Sequence, residues 1–330
     1  MPANLTPAYR EAEERFRQAT TPEEKIECLE EMLAVIPKHK GTEKLQADIK
    51  RRLSKLRQET MSGRGPARRE TAFRVEKEGA GQIALVGPPN SGKSSLLAAL
   101  TNAQPAIGDY PFTTQTPTPG MMVYENVQIQ LVDLPPVTPD YLDPGLPGLL
   151  RRSDALFLVA DLASDDLLEE TQAVLERLEQ AKVFLVAEVP EDADPRLAYQ
   201  RTLLVANKRD APEAGERLAL LSEFFLPARL HILAVSARTG EGLEELRQAA
   251  WRLLDVIRVY GKPAGQKPDM EKPFALPRGS TVLDFAAAVH RDLPAKLKSA
   301  RIWGPSARFP GQSVERDHTL ADTDVVELHT

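Results

Sequence analysis

The chain has 330 residues and a single cysteine, Cys28, so no disulfide framework can hold it together. Its first residues are polar and charged, which is not the pattern of a secretory leader, and no apolar run approaches the roughly 18 residues needed to cross a bilayer. We therefore expect a cytoplasmic protein with no membrane partner. Aromatic residues make up only 5%, but a hydrophobic content of 42% is enough for one full α/β core and about two smaller domains. Of the five histidines, His290 and His329 have no ligand spacing with any partner, and no protein-only metal cluster is expected. The net charge of −6 argues against indiscriminate nucleic-acid binding. Cys28 falls in a helical pattern and reads as a small packing residue rather than a catalyst. No internal repeat is evident.

What is present begins with Gly87-Pro88-Pro89-Asn90-Ser91-Gly92-Lys93-Ser94, which follows the apolar run Ile83 to Val86 and precedes the helix-like Ser95 to Leu100. This is a phosphate-binding loop in its strand-loop-helix context. Gly87 and Gly92 let backbone N–H groups turn inward around a polyphosphate, and the helix N-terminus adds partial positive charge. Lys93 is placed to reach the β and γ phosphates, and Ser94 to ligate Mg²⁺; Asn90, Ser91 and Ser95 complete the cradle. Asn90 has two readings of equal weight: a residue that fits a tight turn, or one that helps hold K⁺ beside the phosphates.

The loop alone accepts ATP or GTP. Thr202 to Ala206 is an apolar strand ending in Asn207-Lys208-Arg209-Asp210. In that pattern Asp210 accepts from the guanine ring N–H and exocyclic amine, which adenine cannot offer in that arrangement. Asn207 donates to the base side and ties its loop to the phosphate loop, while the Lys208 stem covers the base plane. A further strand, His231 to Val235, delivers Ser236-Ala237-Arg238, with the Ala237 amide expected at the guanine oxygen. Three motifs in this order favour GTP.

Two segments are candidate switches. Tyr110-Pro111-Phe112-Thr113-Thr114-Gln115-Thr116 lies where a threonine completes the Mg²⁺ shell and reports the γ-phosphate; Thr114 is the first candidate and Thr113 the second, although a β-edge would also suit the four threonines between Thr113 and Thr118. Gln128 to Asp133 is a strand that should end in Asp-x-x-Gly, with Asp133 binding Mg²⁺ through water. The fourth position is Pro136, which has no N–H to give the γ-phosphate, and Val137 follows where an orienting glutamine is often found. Lys93, Thr114 and Asp133 are the candidate catalytic groups. None is an evident general base, so catalysis would rest on positioning and electrostatics, and slow hydrolysis is expected.

The remaining organisation reads as a helical arm over residues 1–60, a basic linker over 61–74, the nucleotide domain over 75–261, a linker over 262–272 and a small domain over 273–330. In the arm, Ile26, Leu29, Leu33 and Ile36 recur at helical spacing, as do Leu45, Ile49, Leu53 and Leu56. The last helix of the nucleotide domain is expected from Leu243 to about Arg258. Between Lys38 and Arg69 there are eleven basic residues against three acidic ones, centred on Lys50, Arg51, Arg52, Lys55 and Arg57. A solvated helix face and a contact to RNA phosphates are about equally good accounts of that cluster.

Long runs of the chain resemble the developmentally regulated GTP-binding proteins within the Obg group of GTPases: Tyr9 to Phe16, Ile36 to Asp48, Tyr110 to Pro135, Arg278 to Ala286, Val289-His290 and Val325 to His329. The resemblance implies an α/β fold: a P-loop GTPase (G) domain with an N-terminal helical arm and a C-terminal TGS domain, a β-grasp module. It also implies a translation- or ribosome-associated switch that binds GTP and GDP, contacts the ribosome or RNA, and answers to a regulatory partner protein. Pro136 departs from the family's glycine, and the stretch from Asp161 to Thr202 looks too short for the domain that eukaryotic members insert there. Two other functions stay open: a GTP-responsive binding module with negligible hydrolysis, and a sensor of guanine-nucleotide signals acting through the TGS domain.

Overall fold

The computed structural model describes residues 7–18, 22–36, 45–46, 48–54, 73–102, 116–225 and 230–330. Among these, the first cluster is helical: α1 (Pro7–Gln18), α2 (Pro22–Val35) and helical residues 48–54. Tyr9, Ala12, Ile26, Leu29, Met32, Ile36, Ile49 and Leu53 bury one another in a small core of their own. Cys28 is buried in α2. On the outer surface Lys50, Arg51 and Arg52 are exposed, but Asp48 accepts ion pairs from Arg51 at 3.0 Å and from Arg52 at 2.8 Å. Lys55, Leu56 and Arg57 lie outside the described residues.

Seven strands form the main sheet: β1 (Gln82–Val86), β2 (Thr118–Tyr124), β3 (Val127–Asp133), β4 (Ala155–Asp161), β5 (Val183–Val186), β6 (Ala198–Asn207) and β7 (His231–Ala234). The order is β2-β3-β1-β4-β6-β5, with β7 also paired to β6. Only the β2–β3 pair is antiparallel. The central strands β1 and β4 are buried along their whole length, as expected of parallel strands covered on both faces. Their side chains divide with a period of two. Ile83, Leu85, Ala155 and Phe157 pack under α3 (Lys93–Leu100) and α7 (Leu243–Leu254). Ala84, Val86, Leu156 and Leu158 pack under α4 (Leu146–Arg152), α5 (Leu167–Gln180) and α6 (Ala214–Phe225). This is a doubly wound sheet, whose ligand crevice lies beyond the carboxyl ends of the parallel strands.

A second sheet of five strands has the order β11-β10-β12-β8-β9: β8 (Val256–Gly261), β9 (Phe274–Pro277), β10 (Ser299–Trp303), β11 (Gln312–Val314) and β12 (Asp324–His329). Only β8 and β12 run parallel, and helix α8 (Val282–Val289) packs Val282, Phe285 and Ala286 onto the sheet. Thr281 and Asp284 cap that helix reciprocally. The helix expected to reach Arg258 ends at Leu254 because Asp255 adopts the left-handed region at φ 52°. Val256 to Gly261 then alternates as a strand and joins the second sheet. That strand therefore belongs to the small domain, six residues earlier than the expected end of the nucleotide domain at Gly261. No helix among the described residues is long and apolar enough to cross a membrane.

Candidate functional site

The loop between β1 and α3 leaves the sheet at its carboxyl end, as the fold requires. Gly87 is boxed in: a Cβ there would sit 2.4 Å from the Val159 carbonyl oxygen. Gly92 has φ 87°, and a Cβ would fall 2.2 Å from Nδ2 of Asn207. Both glycines are thus required by close approach, and the second also by its backbone conformation. Asn90 takes φ 60° and is exposed at the tip. Ser91 is fully buried and donates from Oγ to the Pro88 carbonyl at 3.0 Å.

Lys93 turns back over the loop and donates from Nζ to the carbonyl oxygens of Pro88 at 2.8 Å and Gly87 at 3.2 Å. Burial lowers its pKa to about 8, and the nearby Asp133 carboxylate only partly opposes that shift. The burial that weakens its ammonium also makes it a strong partner for an entering phosphate. Ser94 donates from Oγ to Oδ2 of Asp133 at 2.5 Å, so the end of β3 meets the start of α3. A hydroxyl and a carboxylate brought together in this way are hard oxygen donors, the set that suits Mg²⁺. Ser95 is half-buried in the first turn of α3. Thr113 and Thr114 lie outside the described residues.

After Asp133 the chain stays buried through Val137. Pro135 and Pro136 carry no N–H. The Val137 N–H donates to the Gly87 carbonyl at 3.1 Å, and the Thr138 N–H to the Tyr141 carbonyl at 3.0 Å. The four positions from Pro135 to Thr138 therefore turn no unengaged backbone donor toward the phosphate loop.

The base-reading loops close on one buried side chain. Asn207 is 1% exposed; it donates from Nδ2 to the Ser91 carbonyl at 2.9 Å and accepts at Oδ1 from the Ala237 N–H at 3.1 Å. One amide thus fastens the end of β6 to both the phosphate loop and the loop after β7. Asp210 accepts from Ser236 Oγ at 2.5 Å and pairs with the Arg238 guanidinium. The Ser236 hydrogen bond, helped by Arg238, lowers its pKa and keeps it an acceptor. Lys208, at φ 65°, reaches Asp161 at 2.5 Å, and Asp161 also accepts the Ala163 N–H at 2.8 Å.

Asp161 is a site residue that the motifs did not indicate. Its signal was present in the sheet register, since it ends β4 directly opposite Asn207 on β6. Arg238 was visible only as the third residue of its loop; its pairing with Asp210 is a long-range contact.

The fold and these loops define a P-loop protein of the GTP-binding class carrying a second, β-grasp domain. Residues 82–189 match a family model described as "50S ribosome-binding GTPase", and residues 257–330 match the TGS domain. The second match begins within β8, in agreement with the strand's place in the second sheet. A GTP-binding protein of Methanocaldococcus jannaschii is 30% identical, over 93% of this chain and 92% of its own. A GTP-binding protein of Halobacterium salinarum is 29% identical over 93% of this chain and 98% of its own. Developmentally-regulated GTP-binding protein 1 of Xenopus laevis is 27% identical over 92% of this chain and 98% of its own. The chain belongs to the family of developmentally regulated GTP-binding proteins.

Proposed function

We propose that this protein is a slow GTPase that works as a cytoplasmic switch on the ribosome or on translation-associated RNA. The observation that carries the nucleotide reading is the convergence on Asn207, whose single amide joins the phosphate loop to the loops bearing Asp210 and Ala237. In this reading Gly87, Asn90, Ser91, Gly92, Lys93, Ser94 and Ser95 hold the phosphates. Asp210 accepts from the guanine edge, the Ala237 amide meets the guanine oxygen in place of its hydrogen bond to Asn207 Oδ1, and the Lys208 stem covers the base. Ser94, Asp133 and Thr114 are the residues that would hold Mg²⁺. The ion, when bound, supplies charge that offsets the phosphates.

Slow chemistry follows from what the switch II backbone lacks. Transition-state charge on the γ-phosphate is normally met by preorganised donors, and here two prolines have none while the next two N–H groups are engaged within the protein. Among the described residues, Lys93 is the cationic side chain that donates to the phosphate-loop carbonyls. The exposed φ 60° conformation of Asn90 supports its turn role; a K⁺ role is tested by comparing hydrolysis in KCl and NaCl, where equal rates would remove it. Ribosome or RNA contact is supported by the exposed Lys50, Arg51 and Arg52 and by the description of the matching family model. A regulatory partner protein fits the family.

Single-turnover hydrolysis of GTP, with and without ribosomes, tests the whole reading. Slow turnover that ribosomes accelerate is the expected result. No turnover under either condition would favour a binding module that reports GTP occupancy without consuming it, a reading whose best support is Pro136.

A further inference from the structure

The β2–β3 hairpin begins just after the candidate switch I segment and ends at Asp133, where the candidate switch II segment starts. Seven residue pairs, from Thr118↔Asp133 to Tyr124↔Val127, tie its strands together, giving a stiff ribbon about 20 Å long at the usual strand rise. One end follows the switch I segment and carries Asp133 beside Ser94. The other end is the turn Glu125-Asn126, and it rests on the second domain.

That contact is more elaborate than a chain junction needs. Glu125 holds φ 49°, a left-handed conformation in which asparagine or glycine is the usual choice, and its carboxylate pairs with Arg258 of β8. Arg258 is held from the other side by Asp322, through Nη2 at 2.7 Å and Nε at 3.1 Å, while its backbone N–H donates to the same carboxylate at 2.7 Å. Its guanidinium lies 5.3 Å from the ring of Trp251, and Tyr124 at the end of β2 stacks on that ring at 6.0 Å. Asn126 donates to Tyr260 Oη at 2.8 Å and to the Met270 carbonyl at 3.1 Å. The Arg258 side chain is 12% exposed but Glu125 is 54% exposed, so the Asp322 half of the clamp is the more shielded and the Glu125 half is a partly solvated pair of modest strength.

We propose that Arg258 is a positioning residue for the nucleotide site: it fixes the outer end of the hairpin, holds Asp133 against Ser94, and so couples the nucleotide state to the TGS domain. The inference rests on the guanine-nucleotide reading above. Ordering of Asp133 by bound GTP and Mg²⁺ favours the clamped hairpin, and by reciprocity the clamp favours GTP over GDP. Among the described residues, the hydrogen bonds and ion pairs of Glu125 and Arg258 stay within the clamp, so its effect on the nucleotide site must travel through the ribbon.

The test uses the full chain and compares affinities for GDP and for a non-hydrolysable GTP analogue with Mg²⁺. Glu125→Gln and Arg258→Gln each remove the pair. Lys262→Gln is the control, because it breaks the Lys262–Glu327 pair inside the second domain without touching the hairpin. Glu125→Gln and Arg258→Gln should lower the ratio of GTP-analogue to GDP affinity by roughly two- to fivefold, the range expected for a modest ion pair. Their double variant should do no more than either alone. Lys262→Gln should cost thermal stability and leave the ratio unchanged. An unchanged or raised ratio in Glu125→Gln, or the same shift in all three variants, would overturn the proposal. Failure of the wild-type chain to bind either guanine nucleotide would instead sink the functional reading beneath it.

Discussion

Replacing Asn207 by alanine should be the most disruptive small change in the nucleotide domain. The side chain is 1% exposed and makes two hydrogen bonds across loops far apart in sequence, to Ser91 at 2.9 Å and from Ala237 at 3.1 Å. Truncation leaves the Ser91 carbonyl in a fully buried residue and the Ala237 N–H in a half-buried one without those partners. An unmet buried polar group costs about 1–3 kcal/mol. With the half-buried N–H able to recruit water, the sum is about 2–4 kcal/mol. Urea unfolding followed by circular dichroism would read this as a lower midpoint with little change in slope. Guanine-nucleotide affinity should fall by a similar free energy, on the order of 30-fold or more, because three loops lose their common anchor. A stability loss below about 0.5 kcal/mol, in the range of neutral surface substitutions, would refute the view that this amide organises the site.

Three further outcomes follow. Lys93 has a pKa of about 8 against 10.5 for a free lysine, so the unfolded chain binds more protons between those values and the nucleotide-free protein gains stability as pH rises through that window. Bound phosphate restores the charge, so nucleotide affinity should fall from pH 7 to pH 9 with proton uptake visible by calorimetry in buffers of different ionisation enthalpy; a flat affinity would contradict the Lys93 assignment. Pro136→Gly supplies a new N–H and should raise both the preference for GTP over GDP and the hydrolysis rate, by up to the 1.5–3 kcal/mol of a hydrogen bond to a charged group; no gain in either would place switch II away from the phosphate. Neutralising Lys50, Arg51, Arg52, Lys55 and Arg57 together should weaken ribosome co-sedimentation and flatten its salt dependence with nucleotide affinity intact, and an unchanged salt series would return the arm to a solvated face.

The parts of this molecule that could be read from sequence are those where local chemistry decides. The phosphate loop declares itself because two glycines, a lysine and a serine must occupy fixed steps between a strand and a helix. The burial of β1 and β4 follows equally directly from their unbroken apolar runs. Less visible was the end of α7, because Asp255 stops the helix with a left-handed conformation that its residue type does not announce, and the residues of β8 were therefore counted with the nucleotide domain and its last helix. The Lys208–Asp161 pair, the Val137–Gly87 hydrogen bond and the Arg258 clamp join residues brought together only by the fold. No periodicity or spacing encodes such contacts.

Guanine recognition through Asp210 is the centre of the proposed function, and direct competition tests it most closely. Purified protein loaded with a fluorescent guanine nucleotide should release it to GTP but not to equimolar ATP. Asp210→Asn should lose affinity for GTP and gain it for xanthosine triphosphate, since the amide can donate where the carboxylate could only accept. Displacement by ATP as effective as that by GTP, or an Asp210→Asn variant with unchanged base preference, would contradict the assignment of this site.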